Sequence, residues 1–125
     1  MIKKTITYTD YNGNTRNEDF YFNLSKAELM EMELSISGGL VEMARRIVTA
    51  QDQPALVKVF KDLIIKAYGI KSPDGKRFIK SQEIIDEFVQ TEAFSELFME
   101  LATDTDAAVK FFNGVIPANL ANDKQ

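Results

Sequence analysis

The 125-residue chain is predicted to be mainly α with a small β part: an N-terminal β-hairpin followed by about five to six short helices in one compact domain. Three observations predict this. The first 24 residues alternate apolar and polar side chains around Asp10-Tyr11-Asn12-Gly13-Asn14, the period-2 pattern of two half-buried strands joined by a turn. From Ser25 onward, apolar residues recur at three- and four-residue spacing behind Ser and Thr capping signals. The length suits a single core, and 45% hydrophobic with 27% charged residues is ordinary for a soluble globular protein.

The stretches ITYT and FYF supply the β-branched and aromatic residues that pleated, half-buried strands favour. A two-residue Asn12-Gly13 loop would set Ile6 against Asp19 and Tyr8 against Asn17. A three-residue loop sets Ile2 by Leu24, Ile6 by Phe20 and Tyr8 by Glu18, and so gathers the apolar side chains on one face. The three-residue loop is therefore expected, with a solvated opposite face of Thr, Lys and Asn.

Ser25-Lys26-Ala27-Glu28 is a capping box, and Leu24 is placed to staple onto Leu29. A helix over about 26–35 follows and is stopped by Ser37-Gly38-Gly39. A second is expected from Leu40 to about Ala50. A third restarts at Pro54, tolerated in a first turn, and runs to about Tyr68 with Gly69 as its C′ residue. Ser72-Pro73-Asp74-Gly75 is a tight turn inside a basic connector. Ser81 caps a fourth helix to about Gln90, and a fifth follows Thr91. Thr103-Asp104-Thr105-Asp106 forms a second capping box for the last helix, which Gly114 and Pro117 end. The expected domain spans 1–117: hairpin 1–24, helices 25–70, basic turn connector 71–80, acidic helices 81–117. Residues 118–125 are expected to fray.

Charge is segregated along the chain. Between Lys80 and Lys110 stand Glu83, Asp86, Glu87, Glu92, Glu96, Glu100, Asp104 and Asp106, with no basic residue among them. The preceding segment holds Lys66, Lys71, Lys76, Arg77 and Lys80 against Asp74 alone. A net charge of −4 argues against broad nucleic-acid affinity, which needs clustered cations. With no His, Cys or Trp, disulfides, thiolate chemistry and His-containing triads are excluded. No stretch approaches the roughly 18 apolar residues of a membrane span. MIKKTITYTDYNG lacks the apolar region of a secretory signal, so a cytosolic setting is expected.

The candidate chemical sites each have a plainer explanation. Glu92, Glu96 and Glu100 recur every four residues, which makes one polar helix stripe rather than a catalytic carboxylate pair. Glu100, Asp104 and Asp106 lack the spacing of a calcium loop, and helix capping explains the aspartates. Gly38-Gly39 belongs to no phosphate-binding motif. Lys71, Lys76, Arg77 and Lys80 form the one basic cluster, but the acidic region beside it would repel phosphate. Ser72 and Lys76 are one residue too far apart for a Ser-x-x-Lys elbow. No catalytic residue, cofactor or metal is expected. The function class is partner binding, and the candidate face is Phe88, Glu92, Phe94, Glu96, Leu97, Phe98, Glu100, Phe111 and Phe112. There an amphipathic helix would find apolar anchors beside acids.

Three stretches carry a resemblance: TITYTDYNGNTRNEDFYFNLSKAEL at 5–29, FKDLIIKAYGIKSPDGKRFIKS at 60–81 and FVQTEAFSELFMELATDTDAAVKFFNGVIPANL at 88–120. Hairpin, capping box, the K-S-x-D-G-x-R-F connector and acidic helices ending in N-G-x-I-P follow in that order. In this layout the chain resembles the tail assembly chaperones of long-tailed, siphovirus-type bacteriophages and prophages of Gram-positive bacteria. The resemblance implies a non-enzymatic protein of the bacterial host cytoplasm, absent from the mature virion. Its implied partners are the tape measure protein, the tail tube subunits and further copies of the chaperone itself, with no nucleic acid and no membrane. It also implies that the chain is the short product of a gene whose frameshifted form adds a second domain. It transfers no binding residue. The alternative is a small regulatory or adaptor domain docking on another protein, such as a phage or host transcription modulator.

Overall fold

The computed structural model describes residues 1–35, 39, 42, 45 and 53–116. Apart from Glu42 and Arg45, the helix expected over 40–50 lies outside them, as does the expected tail over 118–125.

Strands β1 (Ile2–Thr9) and β2 (Thr15–Phe22) form the expected antiparallel hairpin. Its loop has three residues, as expected, but is centred on Asn12 rather than Gly13. Ile2 therefore opposes Phe22, Ile6 opposes Glu18 and Tyr8 opposes Arg16, instead of Leu24, Phe20 and Glu18. Asp10 decides this. Its amide donates to the Asn14 carbonyl at 2.9 Å and its own carbonyl accepts from Gly13 at 3.0 Å. Its Oδ1 accepts from the amides of Asn12 and Asn14, both at 2.9 Å. Gly13, at φ 85°, supplies the left-handed residue that a three-residue hairpin loop needs. The slip of two residues preserves parity, so the apolar face survives. Ile6 and Phe22 are buried, while Lys3, Thr5, Thr7, Thr9, Asn17 and Asp19 face solvent.

Helix α1 (Lys26–Ser35) opens with the predicted capping box: the Glu28 amide donates to Ser25 Oγ at 3.1 Å and the Ser25 amide to Glu28 Oε1 at 2.8 Å. Leu24 and Leu29 are both buried, in keeping with the staple. Helix α2 (Gln53–Ala67) ends one residue before the expected boundary, and here the connector differs from expectation. Tyr68–Lys71 forms β3 and Phe78–Ile79 forms β4, a second hairpin that extends the sheet to β1-β2-β3-β4. Gly69 is a strand residue, not a helix C′. It opposes Tyr21, and a Cβ there would stand 2.6 Å from the Phe78 ring and 2.9 Å from the Ile79 carbonyl oxygen. The helix stops because its last carbonyl groups are taken elsewhere: Ala67 accepts from the Asn23 amide at 2.8 Å and Lys66 from the Lys80 ammonium at 2.6 Å.

Helices α3 (Gln82–Val89) and α4 (Glu92–Thr103) are capped by Ser81 and Thr91, as the sequence indicates. Helix α5 (Thr105–Val115) is capped by Asp104, not by Thr103. Thr103 still belongs to α4, where its hydroxyl donates to the Met99 carbonyl at 2.7 Å, so the cap moves on by one residue. The described residues thus hold five helices and a four-stranded antiparallel sheet, a mixed fold whose β part exceeds the single hairpin expected. The helices cover one face of the sheet. Phe22, Leu24, Leu63, Ile64, Leu97, Leu101, Phe111 and Val115 are fully enclosed between the layers, each such side chain contributing roughly 1.5–3 kcal/mol of burial.

Candidate functional site

The aromatic residues of the expected binding face form a chain that starts inside the core. Phe88 stacks on Tyr68 with ring centres 4.2 Å apart, and meets Phe20 at 5.2 Å and Phe94 at 5.8 Å. Phe94 then stacks on Phe98 at 6.2 Å. Along this chain exposure rises. Phe88, Leu97, Phe111 and Phe112 are core residues, none more than 4% exposed, whereas Phe94 and Phe98 are half-buried. The four core residues shape the surface from beneath, and the two stacked rings reach it.

Helical geometry arranges what remains on α4. At 100° per residue, Ala93, Leu97 and Leu101 share the buried side. Phe94 and Phe98 flank that side on one edge, and Glu92, Glu96 and Glu100 on the other. Between the two edges, on the outside, stand Ser95 and Met99. Met99 is 55% exposed, which the residue pattern alone does not reveal. The nearest signal in the sequence is an apolar side chain one turn from Ser95 on a capped acidic helix.

The acidic stripe is only partly available to a partner. The Lys4 ammonium lies 3.0 Å from Glu100, tying α4 to β1. The Glu92 carboxylate stands beside the Tyr11 hydroxyl of the first hairpin loop and raises its pKa above the usual phenol value. Glu96, between them, is exposed and has no ion-pair partner among the described residues. Glu100, Asp104 and Asp106 border an open cleft of about 440 Å³ together with Lys3, Lys4 and Lys110, and of these acids Glu100 is ion-paired, with Lys4. No cluster of three metal-ligating side chains occurs among the described residues.

Two of the connector's cations, Lys71 and Lys80, are engaged within the fold, while Lys76 and Arg77 are exposed. The Lys71 ammonium sits 4.5 Å from the Tyr21 ring centre. Lys80 donates to the Asn23 carbonyl at 2.8 Å, the Lys66 carbonyl at 2.6 Å and Glu28 at 2.7 Å, and its side chain is 18% exposed. Burial pushes the Glu28 carboxyl up, but Lys80 and Ser25 together pull it below its ordinary value. Ser72 is buried in its turn, donating to Asp74 at 2.6 Å and accepting from the Arg77 amide at 3.0 Å. The hydroxyl is thus committed to turn geometry.

The whole chain, residues 1–125, matches the family described as phage tail assembly chaperone. The chain belongs to that family. Neither the curated proteins nor the solved structures compared with it give a significant match. Membership of a chaperone family in tail assembly points to proteins of the tail as partners, and for such a partner the relevant feature is a contact face. No helix among the described residues is long and apolar enough to cross a membrane.

Proposed function

We propose that this chaperone binds the tape measure protein of a long-tailed, siphovirus-type phage or prophage of a Gram-positive host, and holds it soluble while tail tube subunits assemble around it. The work is done in the host cytoplasm, without catalysis, and the chaperone leaves before the virion is complete. The observation that carries this reading is the family match over the full chain. The tape measure protein enters as the tail component most in need of a chaperone, since long amphipathic helices expose apolar stripes until they are covered.

The proposed contact face is the outer side of α4, with Met99 at its centre, Phe94 and Phe98 on one edge and Glu96 on the other. The core residues Phe88, Leu97, Phe111 and Phe112 set its shape from below. An amphipathic helix with basic flanks would place its apolar side on Met99 and the phenylalanines and its cations near Glu96.

Co-expression of the tagged chain with the phage tail genes tests this directly. Capture of the tape measure protein, identified by mass spectrometry, is expected. The double variant Glu96→Lys with Met99→Asp is expected to lose most of that capture while melting as the parent does. Undiminished capture by this variant removes α4 as the contact face. A preparation free of tape measure protein, with that protein present in the lysate, removes the partner.

A further inference from the structure

The ladder between β2 and β3 stops early. Tyr21 opposes Gly69 and Phe22 opposes Tyr68, yet β2 reaches back to Thr15 and β3 on to Lys71 without a further pair. The Asn23 amide donates to the Ala67 carbonyl, and bonded pairs alternate along an antiparallel ladder. The odd-numbered residues of β2 therefore direct their N–H and C=O groups away from β1. At Thr15, Asn17 and Asp19 these groups are open, with no bond to any group of the described residues. Where the strands part lies an open cleft of about 440 Å³, bordered by Asp19, Phe20, Tyr68, Ile70 and Lys71. This half of β2 contains no Pro, Gly or bulge of the kind that commonly blunts an edge.

We propose that this open half of β2 takes up an extended segment of a partner protein as an added strand, apolar on the helix side and basic on the other. Main-chain pairing with Thr15, Asn17 and Asp19 supplies the affinity, and alternate side chains supply the specificity. On the helix side the segment meets Phe20 and Ile70, the latter 45% exposed. Phe20 rests on Phe88 and Tyr68, which gives the apolar side a fixed floor. On the other face stands the exposed Asp19 carboxylate. It accepts from the Thr5 hydroxyl at 2.6 Å and has no cationic partner among the described residues, because the nearby Lys71 ammonium lies over the Tyr21 ring. Glu87 adds to the negative field: with burial, it holds the Tyr68 phenol above its ordinary pKa. The chain itself offers poorer occupants. Residues 117–125, PANLANDKQ, include no β-branched or aromatic residue. A second copy's β2, paired about Asn17, would need its Gly13 where Gly69 already stands. The edge shares no exposed residue with the α4 face, so the inference does not rest on what α4 holds.

The probe is an acetylated, amidated peptide of alternating Lys and Val, added to the isotope-labelled full chain while amide hydrogen exchange is followed residue by residue. At about 1 mM peptide, the Thr15, Asn17 and Asp19 amides are expected to exchange several-fold more slowly. A peptide of alternating Glu and Val is expected to leave them unchanged. Asn17→Pro removes the central open N–H, which faces no strand, so a folded chain that gains no protection at Thr15 and Asp19 is expected. Asp19→Asn, which keeps an acceptor for Thr5, is expected to weaken Lys-Val binding several-fold and to reduce its salt dependence. Absence of protection by the Lys-Val peptide overturns the proposal. So does equal protection by the Glu-Val peptide, a folded Asn17→Pro chain that is still protected, or protection that appears on α4 instead. Protection that grows with chain concentration in the absence of peptide assigns the edge to a second copy and overturns it as well.

Discussion

Each of the two hairpins turns on an aspartate that collects neighbouring donors. Asp10 accepts from the Asn12 and Asn14 amides and from Arg16; Asp74 accepts from the Ser72 hydroxyl and the Lys76 amide. Beyond the turns they differ. β1 and β2 run through eight opposed pairs and bury Ile6 and Phe22 against the helices. β3 and β4 have two opposed pairs, and β4 stays half-exposed. The long ladder holds itself by burying its own side chains. The short one is held by its neighbours: Tyr68 stacked on Phe88, Gly69 fitted beneath Phe78, and Lys80 bound to Asn23, Glu28 and Lys66.

The largest effect should come from removing what anchors the long ladder. Phe22 is fully buried and touches Phe111 with ring centres 5.2 Å apart. Phe22→Ala should cost about 3–5 kcal/mol in urea unfolding. A loss below about 1 kcal/mol would show that burial is not what secures β1 and β2.

Lys80→Met should cost less, about 1–3 kcal/mol, by leaving two backbone carbonyls and Glu28 without their shared donor. Its signature is regional. Amide hydrogen exchange should quicken in residues 68–79 and in α1 while β1 and β2 keep their protection. Equal loss across the whole sheet would mean that the hairpins are not separately secured.

Gly69→Ala should also destabilise, by about 1–2 kcal/mol, because the new methyl meets the Phe78 ring and the Ile79 carbonyl. Combining it with Phe78→Ala should recover part of the loss. Strict additivity in that cycle would show that the ring is not the obstacle.

Acid should separate the two turns most gently. Arg16 holds the Asp10 carboxyl below its ordinary value, and the Ser72 hydroxyl does the same for Asp74. Groups with lowered folded-state values stabilise fully above the unfolded value, 3.8 for an aspartate here, and lose that contribution as pH falls through the folded one. Melting temperature should therefore drop as pH falls below about 4, and each Asp→Asn variant should flatten the drop. Salt should weaken the Asp10 share, which rests on an exposed ion pair, and spare that of Asp74. Equal salt sensitivity of the two variants would contradict the assigned causes.

Much of this was legible from residue order. The capping signals at Ser25, Ser81 and Thr91 placed three helix starts correctly, because a cap is a contact between residues three apart and carries its own geometry. The parity of the first hairpin was legible too, since only one parity puts Ile6 and Phe22 on the same side. Its register was not. The hydrophobic pattern repeats every two residues and cannot tell a slip of two from none, whereas Asp10 can. β3 and β4 were missed because four and two residues are too few for a period to emerge. Within the proposed face, the sequence could count phenylalanines but could not say that Phe88, Phe111 and Phe112 turn inward while Phe94 and Phe98 reach the surface.

The sequence by itself determined local features: the helix starts after Ser25, Ser81 and Thr91, the presence and parity of the first hairpin, and a family membership that extends over the whole chain. All of these rest on interactions within a few residues or on residue order. Only the tertiary structure decided that Lys80 ties together Asn23, Glu28 and Lys66, that Lys4 neutralises Glu100, and that Met99 faces outward between two edges of α4. Those outcomes depend on how layers stack across separations of up to 96 residues, for which spacing along the chain carries no signal.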